Sequence, residues 1–66
     1  MRNNIRAERA RLQMTQQQLA DTLGVSRQAV HAIESGRFNP STLLSLKMSH
    51  IFGKSVNEIF FLDKED

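Results

Sequence analysis

The sequence predicts an all-α fold, a compact bundle of five helices, and three observations predict it. Apolar residues recur at helical spacing in four separate stretches. Side chains able to cap a helix start, Thr15, Ser26, Ser41 and Ser55, stand just before segments of this kind. Glycines at 24, 36 and 53 follow three of them, where a helix must stop. No internal repeat, linker or low-complexity stretch divides the chain, so residues 1–66 read as a single domain.

Asn4 can cap helix one, with Ile5 and Leu12 as its inward stripe and Met14 closing the connection to helix two. Thr15 and Gln18 form a T-x-x-Q capping box, which starts helix two near Gln16. Leu19, Ala20 and Leu23 give that helix one apolar face, and Gly24 stands at its left-handed end position. Ala20 falls where helix three must cross closely, so a larger side chain there would push the pair apart. Val25 places one apolar side chain in the turn. Ser26 then caps helix three, whose apolar members Val30 and Ile33 lie on one side and which Gly36 closes. Arg27, Gln28, His31, Ala32 and Ser35 fall on the opposite arc, polar or small throughout.

After Pro40, Ser41 or Thr42 starts helix four, the central core helix. Leu44, Met48 and Ile51 follow helical spacing there, and Leu43, Leu46 and Phe52 widen the stripe. Ser55 and Glu58 form a second capping box that opens a short helix five. Ile59, Phe60, Phe61 and Leu62 are consecutive, so on a helix or a strand they cannot all face one core. Either a second copy covers some of them, with Met1–Asn4 alongside, or the tail folds back over its own bundle. A dimer contact is the favoured reading, because contiguous exposed apolar surface marks interfaces.

Composition narrows the function classes. A chain of 66 residues buries only about 60 % of its unfolded surface, and such chains commonly gain stability by associating. There is no cysteine, so no disulfide or thiolate metal site supports the fold. The longest apolar run, Ile59 to Leu62, is far too short to span a membrane. Charge is spread through the first residues with no apolar core among them, so no signal peptide is expected and a cytoplasmic protein is. His31 and His50 lie on different helices, which leaves a closed zinc site short of ligands. A bundle this small leaves little room for a concave catalytic site. The expectation is therefore a protein that is not an enzyme and takes no metal, cofactor or small-molecule ligand.

The net charge of +2 is unevenly placed. Residues 1–37 hold six arginines against three acids, for +3, whereas residues 38–66 hold three lysines against four acids, for −1. Arginine's planar fork suits phosphate and guanine, so the partition supports a nucleic-acid face at one end; an ordinary solvated surface would give the same counts.

The residues Thr15-Gln16, Leu19-Ala20, Gly24-Val25-Ser26-Arg27, Val30, Ile33-Glu34, Gly36 and Asn39-Pro40 form one dispersed pattern. In it the chain resembles the Cro/cI-type (XRE) helix-turn-helix regulators and covers their lambda-repressor-like DNA-binding domain almost entirely, with the helix-turn-helix over about 16–35. In length it is also similar to the small dimeric cytolysin-repressor-like proteins. The resemblance implies double-stranded DNA as partner and a homodimer. Arg27, Gln28, His31 and Ala32 would read base edges in the major groove, Arg27 as a guanine fork, Gln28 on adenine, Ala32 against a thymine methyl. Arg27 placed on a phosphate instead would add affinity without specificity. Phosphate contacts fall to Gln16 and, more weakly, to Gln17, Ser26, Ser35, Arg37 and Asn39, although Ser26 also reads as a helix cap and Asn39 as a loop former. Arg9 and Glu34 match a structural arginine–carboxylate bridge between helices one and three. Residues 56–63, with Ile59, Phe60, Phe61 and Leu62, would dimerise, and the termini would pair as a small antiparallel sheet, although Met1–Asn4 hold few strand formers.

The implied function is a sequence-specific transcriptional regulator, a repressor on a near-palindromic operator. The alternative is an antitoxin-like protein-interaction module with secondary DNA binding.

Overall fold

The computed structural model describes Met1–Asp66. Its elements run β1 (Arg2–Asn3), α1 (Ile5–Arg11), α2 (Gln16–Leu23), α3 (Arg27–Glu34), α4 (Thr42–Phe52), α5 (Val56–Ile59) and β2 (Phe60–Phe61). Five helices thus carry the fold, and the two short strands pair antiparallel, Arg2 opposite Phe61 and Asn3 opposite Phe60. Few of the first residues favour a strand; the pairing exists because α5 delivers the tail beside them, and Asn4 N–H donates to the Ile59 carbonyl at 2.8 Å in continuation of the ladder.

Local chemistry sets most helix ends. Thr15 Oγ1 accepts from Gln18 N–H at 3.0 Å while Thr15 N–H donates to Gln18 Oε1 at 2.8 Å, a closed reciprocal box. Ser26 Oγ accepts from Ala29 N–H and Ser41 Oγ from Leu44 N–H in the same manner. Gly24, at φ +77°, ends α2 in the left-handed conformation, and a Cβ placed there would touch nothing. Its requirement is therefore conformational rather than steric. The end of α1 has no glycine. Gln13 takes the left-handed position itself at φ +56°, with Gln13 N–H donating to the Ala10 carbonyl and Met14 N–H to the Arg9 carbonyl, the double bond of a Schellman closure.

Three expectations about α1 and α4 need correction. Asn4 is the first cap residue of α1 by position, but its side chain makes no cap bond; the Asn3 Oδ1 accepts from Ile5 N–H at 3.1 Å instead. Leu12 lies beyond the end of α1 and is exposed, so Ile5 alone carries the inward side of that helix. Leu43 and Leu46 are exposed as well, on the outward face of α4, because Met48 and Phe52 point to the core and a straight helix cannot turn the opposite arc inward too.

The core gathers Ile5, Leu19, Ala20, Leu23, Val30, Ile33, Met48, Phe52, Ile59 and Phe60. Each large side chain among them contributes on the order of 1.5–3 kcal/mol by leaving water. Every helix supplies at least one member, so α3 is seated on the shared core by Val30 and Ile33 and keeps its other arc in solvent. Fully buried Ile59 and nearly buried Phe60 belong to this core, which corrects their assignment to a dimer contact: side chains enclosed within one chain have no surface to offer a second. Phe61 is half-buried and Leu62 is 75 % exposed. The longest helix has 11 residues, and no helix is long and apolar enough to cross a membrane.

Candidate nucleic-acid interface

Polarity along α3 decides what this surface can do. Val30 and Ile33 fix the helix from one side, so Arg27, Gln28 and His31 are held outward and exposed with the half-buried Ala32 between them and the core. The N-terminal end of α3, capped by Ser26, carries Arg27 and Gln28 as its first two residues. A bare arginine fork and a carboxamide on consecutive positions offer donors and an acceptor to neighbouring base edges.

Beside this arc lies a polar hollow of about 370 Å³, lined by Arg6, Arg9, Gln16, His31, Glu34 and Ser35 without one apolar side chain. Arg9 and Glu34 form its floor. The guanidinium grips the carboxylate twice, Nε to Oε2 at 2.6 Å and Nη2 to Oε1 at 3.0 Å, and its third arm, Nη1, donates to the Met14 carbonyl at 2.9 Å. Side-chain exposures of 14 % for Arg9 and 8 % for Glu34 place the pair out of bulk water. It ties α1 to the last turn of α3 and to the connection before α2 at once. Because the carboxylate is matched by Arg9, the hollow's remaining charge is that of Arg6, and an anion entering it meets a positive field.

Gln16, the first residue of α2, reaches over the rim. Its Nε2 lies 3.5 Å from His31 Nδ1 and 3.5 Å from Glu34 Oε1, at the outer limit of hydrogen bonding, so the carboxamide is loosely held and free to turn toward an incoming group. As the first residue of α2, Gln16 also carries one of the amides that a helix start leaves without an intrahelical partner. Gln17 is exposed and donates to Asp21 Oδ1 at 2.8 Å. Ser26 is engaged as the α3 cap. Ser35 Oγ donates to the Ala32 carbonyl at 3.1 Å, and Arg37 and Asn39 are exposed on the following loop. The structure thus gathers Gln16, His31, Ser35, Arg9 and Glu34 around one hollow, sets Arg27 and Gln28 on the adjoining arc, and leaves Arg37 and Asn39 on the loop beyond.

Two residues escaped the reading of the sequence. Arg6 lines the hollow; its spacing of three from Arg9 on one helix was the available signal. Asn3 is the other. Its Nδ2 donates to the carbonyls of Ile33 at 3.0 Å and Glu34 at 3.4 Å, capping the C-terminal end of α3, while its Oδ1 holds the start of α1. One carboxamide therefore joins the terminal strand pair to the helix that carries the outward arc. Nothing in the sequence separates Asn3 from Asn4 for that task. No group of three or more His, Cys, Asp or Glu is placed to hold a metal ion.

Comparisons with known proteins agree with this geometry. The helix-turn-helix family model matches residues 5–59. The uncharacterized HTH-type transcriptional regulator YgzD of Bacillus subtilis (strain 168) is 41 % identical over 66 residues, covering 100 % of both chains. An uncharacterized HTH-type transcriptional regulator of Methanocaldococcus jannaschii is 39 % identical, again over 100 % of each. Among solved structures, the crystal structure of the hypothetical transcription factor NHTF from Neisseria superimposes with a TM-score of 0.75 at 29 % identity, covering 83 % of this chain and 62 % of that one.

Proposed function

Because this chain belongs to the XRE-type helix-turn-helix family and is thereby a DNA-binding transcriptional regulator rather than an enzyme, we propose that it is a repressor acting in the cytoplasm as a homodimer. It occupies a near-palindromic operator whose half-sites lie about one helical turn (~34 Å) apart, and blocks a promoter by doing so. The observation that carries the reading is the exposed arc of Arg27, Gln28 and His31 beside the polar hollow entered by Gln16.

In this reading Arg27, Gln28, His31 and Ala32 meet base edges, and Gln16, Gln17, Ser26, Ser35, Arg37 and Asn39 meet the backbone. Arg9 and Glu34 set the tilt of α3 and touch no DNA. Dimer contact falls to Phe61 and Leu62, the part of the apolar tail left outside the core, together with the unpaired outer edge of β2. An uncovered strand edge with an exposed leucine beside it is a surface that a second copy satisfies by symmetry.

Selection of binding sequences from a random duplex pool at physiological salt tests the proposal. Recovery of a palindrome with that half-site spacing is the expected result; enrichment of a single asymmetric site removes the dimer, and no enrichment removes the reading altogether. On the selected site, Arg27→Ala relaxes base preference, whereas Gln16→Ala weakens all sequences alike. Arg37→Ala lowers the log–log salt slope by about 0.9, the value for one neutralised phosphate.

A further inference from the structure

The loop after α3 holds an aromatic side chain where the surroundings are polar. Phe38 is 65 % exposed, between the exposed Arg37 and Asn39. Exposure of this kind on a flexible loop means little, but this loop is anchored. Gly36 N–H donates to the Ile33 carbonyl, and both Arg37 N–H, at 3.0 Å, and Phe38 N–H, at 3.2 Å, donate to the carbonyl of Ala32. Gly36 makes the reversal at φ +81°, and the Met1 carbonyl oxygen lies 3.5 Å from the place of a Cβ there, so the turn is closed from outside as well.

Ala32 belongs to the outward arc of α3. A residue whose amide is bonded to the Ala32 carbonyl therefore sits at the C-terminal end of α3, beyond Ser35 and between the exposed Arg37 and Asn39. A phenyl ring in this position gains nothing from the protein's own core. Against duplex DNA it has one complementary apolar group to meet, since the C5-methyl of thymine is the only apolar substituent presented in the major groove.

Resting on the proposed DNA-binding face, we infer that Phe38 is a specificity-determining residue, which reads a thymine methyl group just outside the bases met by Arg27 and Gln28. The contact supplies preference without a hydrogen bond, and the anchored backbone fixes the point from which the ring reaches, so little backbone freedom is lost on binding.

The test starts from the duplex site selected by the wild-type protein. Each thymine in a half-site is replaced in turn by deoxyuridine, which removes only the methyl group, and dissociation constants are measured for wild type, Phe38→Ala, Phe38→Leu and Arg27→Ala. At one position outside the Arg27 and Gln28 bases, the wild type is expected to lose about fourfold in affinity, the worth of one buried methyl. Phe38→Ala is expected to bind the thymine and deoxyuridine sites equally, and Phe38→Leu to retain part of the difference. Thermal melts of both Phe38 variants should match wild type, as the ring lies outside the core. Equal deoxyuridine effects in wild type and Phe38→Ala overturn the inference, as does a selected site with no flanking thymine. A Phe38→Ala variant that weakens self-association while leaving the deoxyuridine pattern intact overturns it too, and assigns the ring to a contact between copies. If Arg27→Ala keeps full base preference, it is the underlying placement of α3 that fails.

Discussion

Replacing Glu34 by alanine strands the Arg9 guanidinium, which is 14 % exposed and keeps only its bond to the Met14 carbonyl. Two charge-assisted hydrogen bonds disappear, at 2.6 and 3.0 Å, each worth about 1.5–3 kcal/mol net. A surface pair would cost no more than about 1 kcal/mol, whereas removing one partner of a buried pair costs about 3–5 kcal/mol. The low exposures place Arg9 and Glu34 near the second case, and the polar hollow above them, open to water, moves the figure to its lower end, about 3 kcal/mol. For a chain of 66 residues the whole folding free energy is roughly 3–10 kcal/mol, so this change consumes a large part of it and lowers the melting temperature by about 12–24 °C. Urea denaturation followed by far-UV circular dichroism measures the loss. The double variant Arg9→Ala/Glu34→Ala should cost clearly less than the two single changes added together, because it leaves no uncompensated charge. A coupling below about 1 kcal/mol would show that the pair behaves as a solvated surface contact and does not fix α3.

Asn3→Ala removes the cap on the Ile33 and Glu34 carbonyls and the bond to Ile5 N–H; it should destabilise by about 2 kcal/mol and speed amide hydrogen exchange in the last turn of α3 before the rest of the core. Gln13→Gly should stabilise, by about 0.5–1 kcal/mol in chemical denaturation, since a non-glycine residue at φ +56° carries left-handed strain that glycine lacks; an unchanged midpoint would contradict this. The backbone N–H of Ser55 holds the Glu58 carboxyl below its ordinary value of 4.5. A depressed folded value means that its contribution is present above that pH and is lost as pH falls through the folded value, so melts recorded in acid should show a loss that is smaller in Glu58→Gln.

Much of the architecture is local and could be read along the chain. The Thr15–Gln18 box, the Ser26 and Ser41 caps and the left-handed Gly24 each depend on bonds spanning three or four residues, so the side chains that make them lie close in sequence too. The apolar spacing of Leu19, Ala20, Leu23, Val30 and Ile33 fixed which faces of α2 and α3 turn inward, and with that the outward arc of Arg27, Gln28 and His31. Residue type and period determine these features without knowledge of the neighbours.

Only the tertiary structure decided how the ends are used. Four consecutive apolar residues at 59–62 required that some lie outside the core, but the turn from α5 into β2 chose Ile59 and Phe60 for the interior and Leu62 for solvent. Leu43 and Leu46 have the same apolar character as Leu44, and the direction of α4 across Met48 and Phe52 left the first two exposed. Strand propensity argued little for Arg2–Asn3, yet the strand forms because β2 arrives beside it. The carboxamide of Asn3 finds carbonyls thirty and thirty-one residues away, and Arg6 becomes part of a polar hollow through the approach of α2 and α3 to α1. Such roles depend on which distant groups the packed helices bring within about 3 Å, a hydrogen-bonding range that no spacing along the chain encodes.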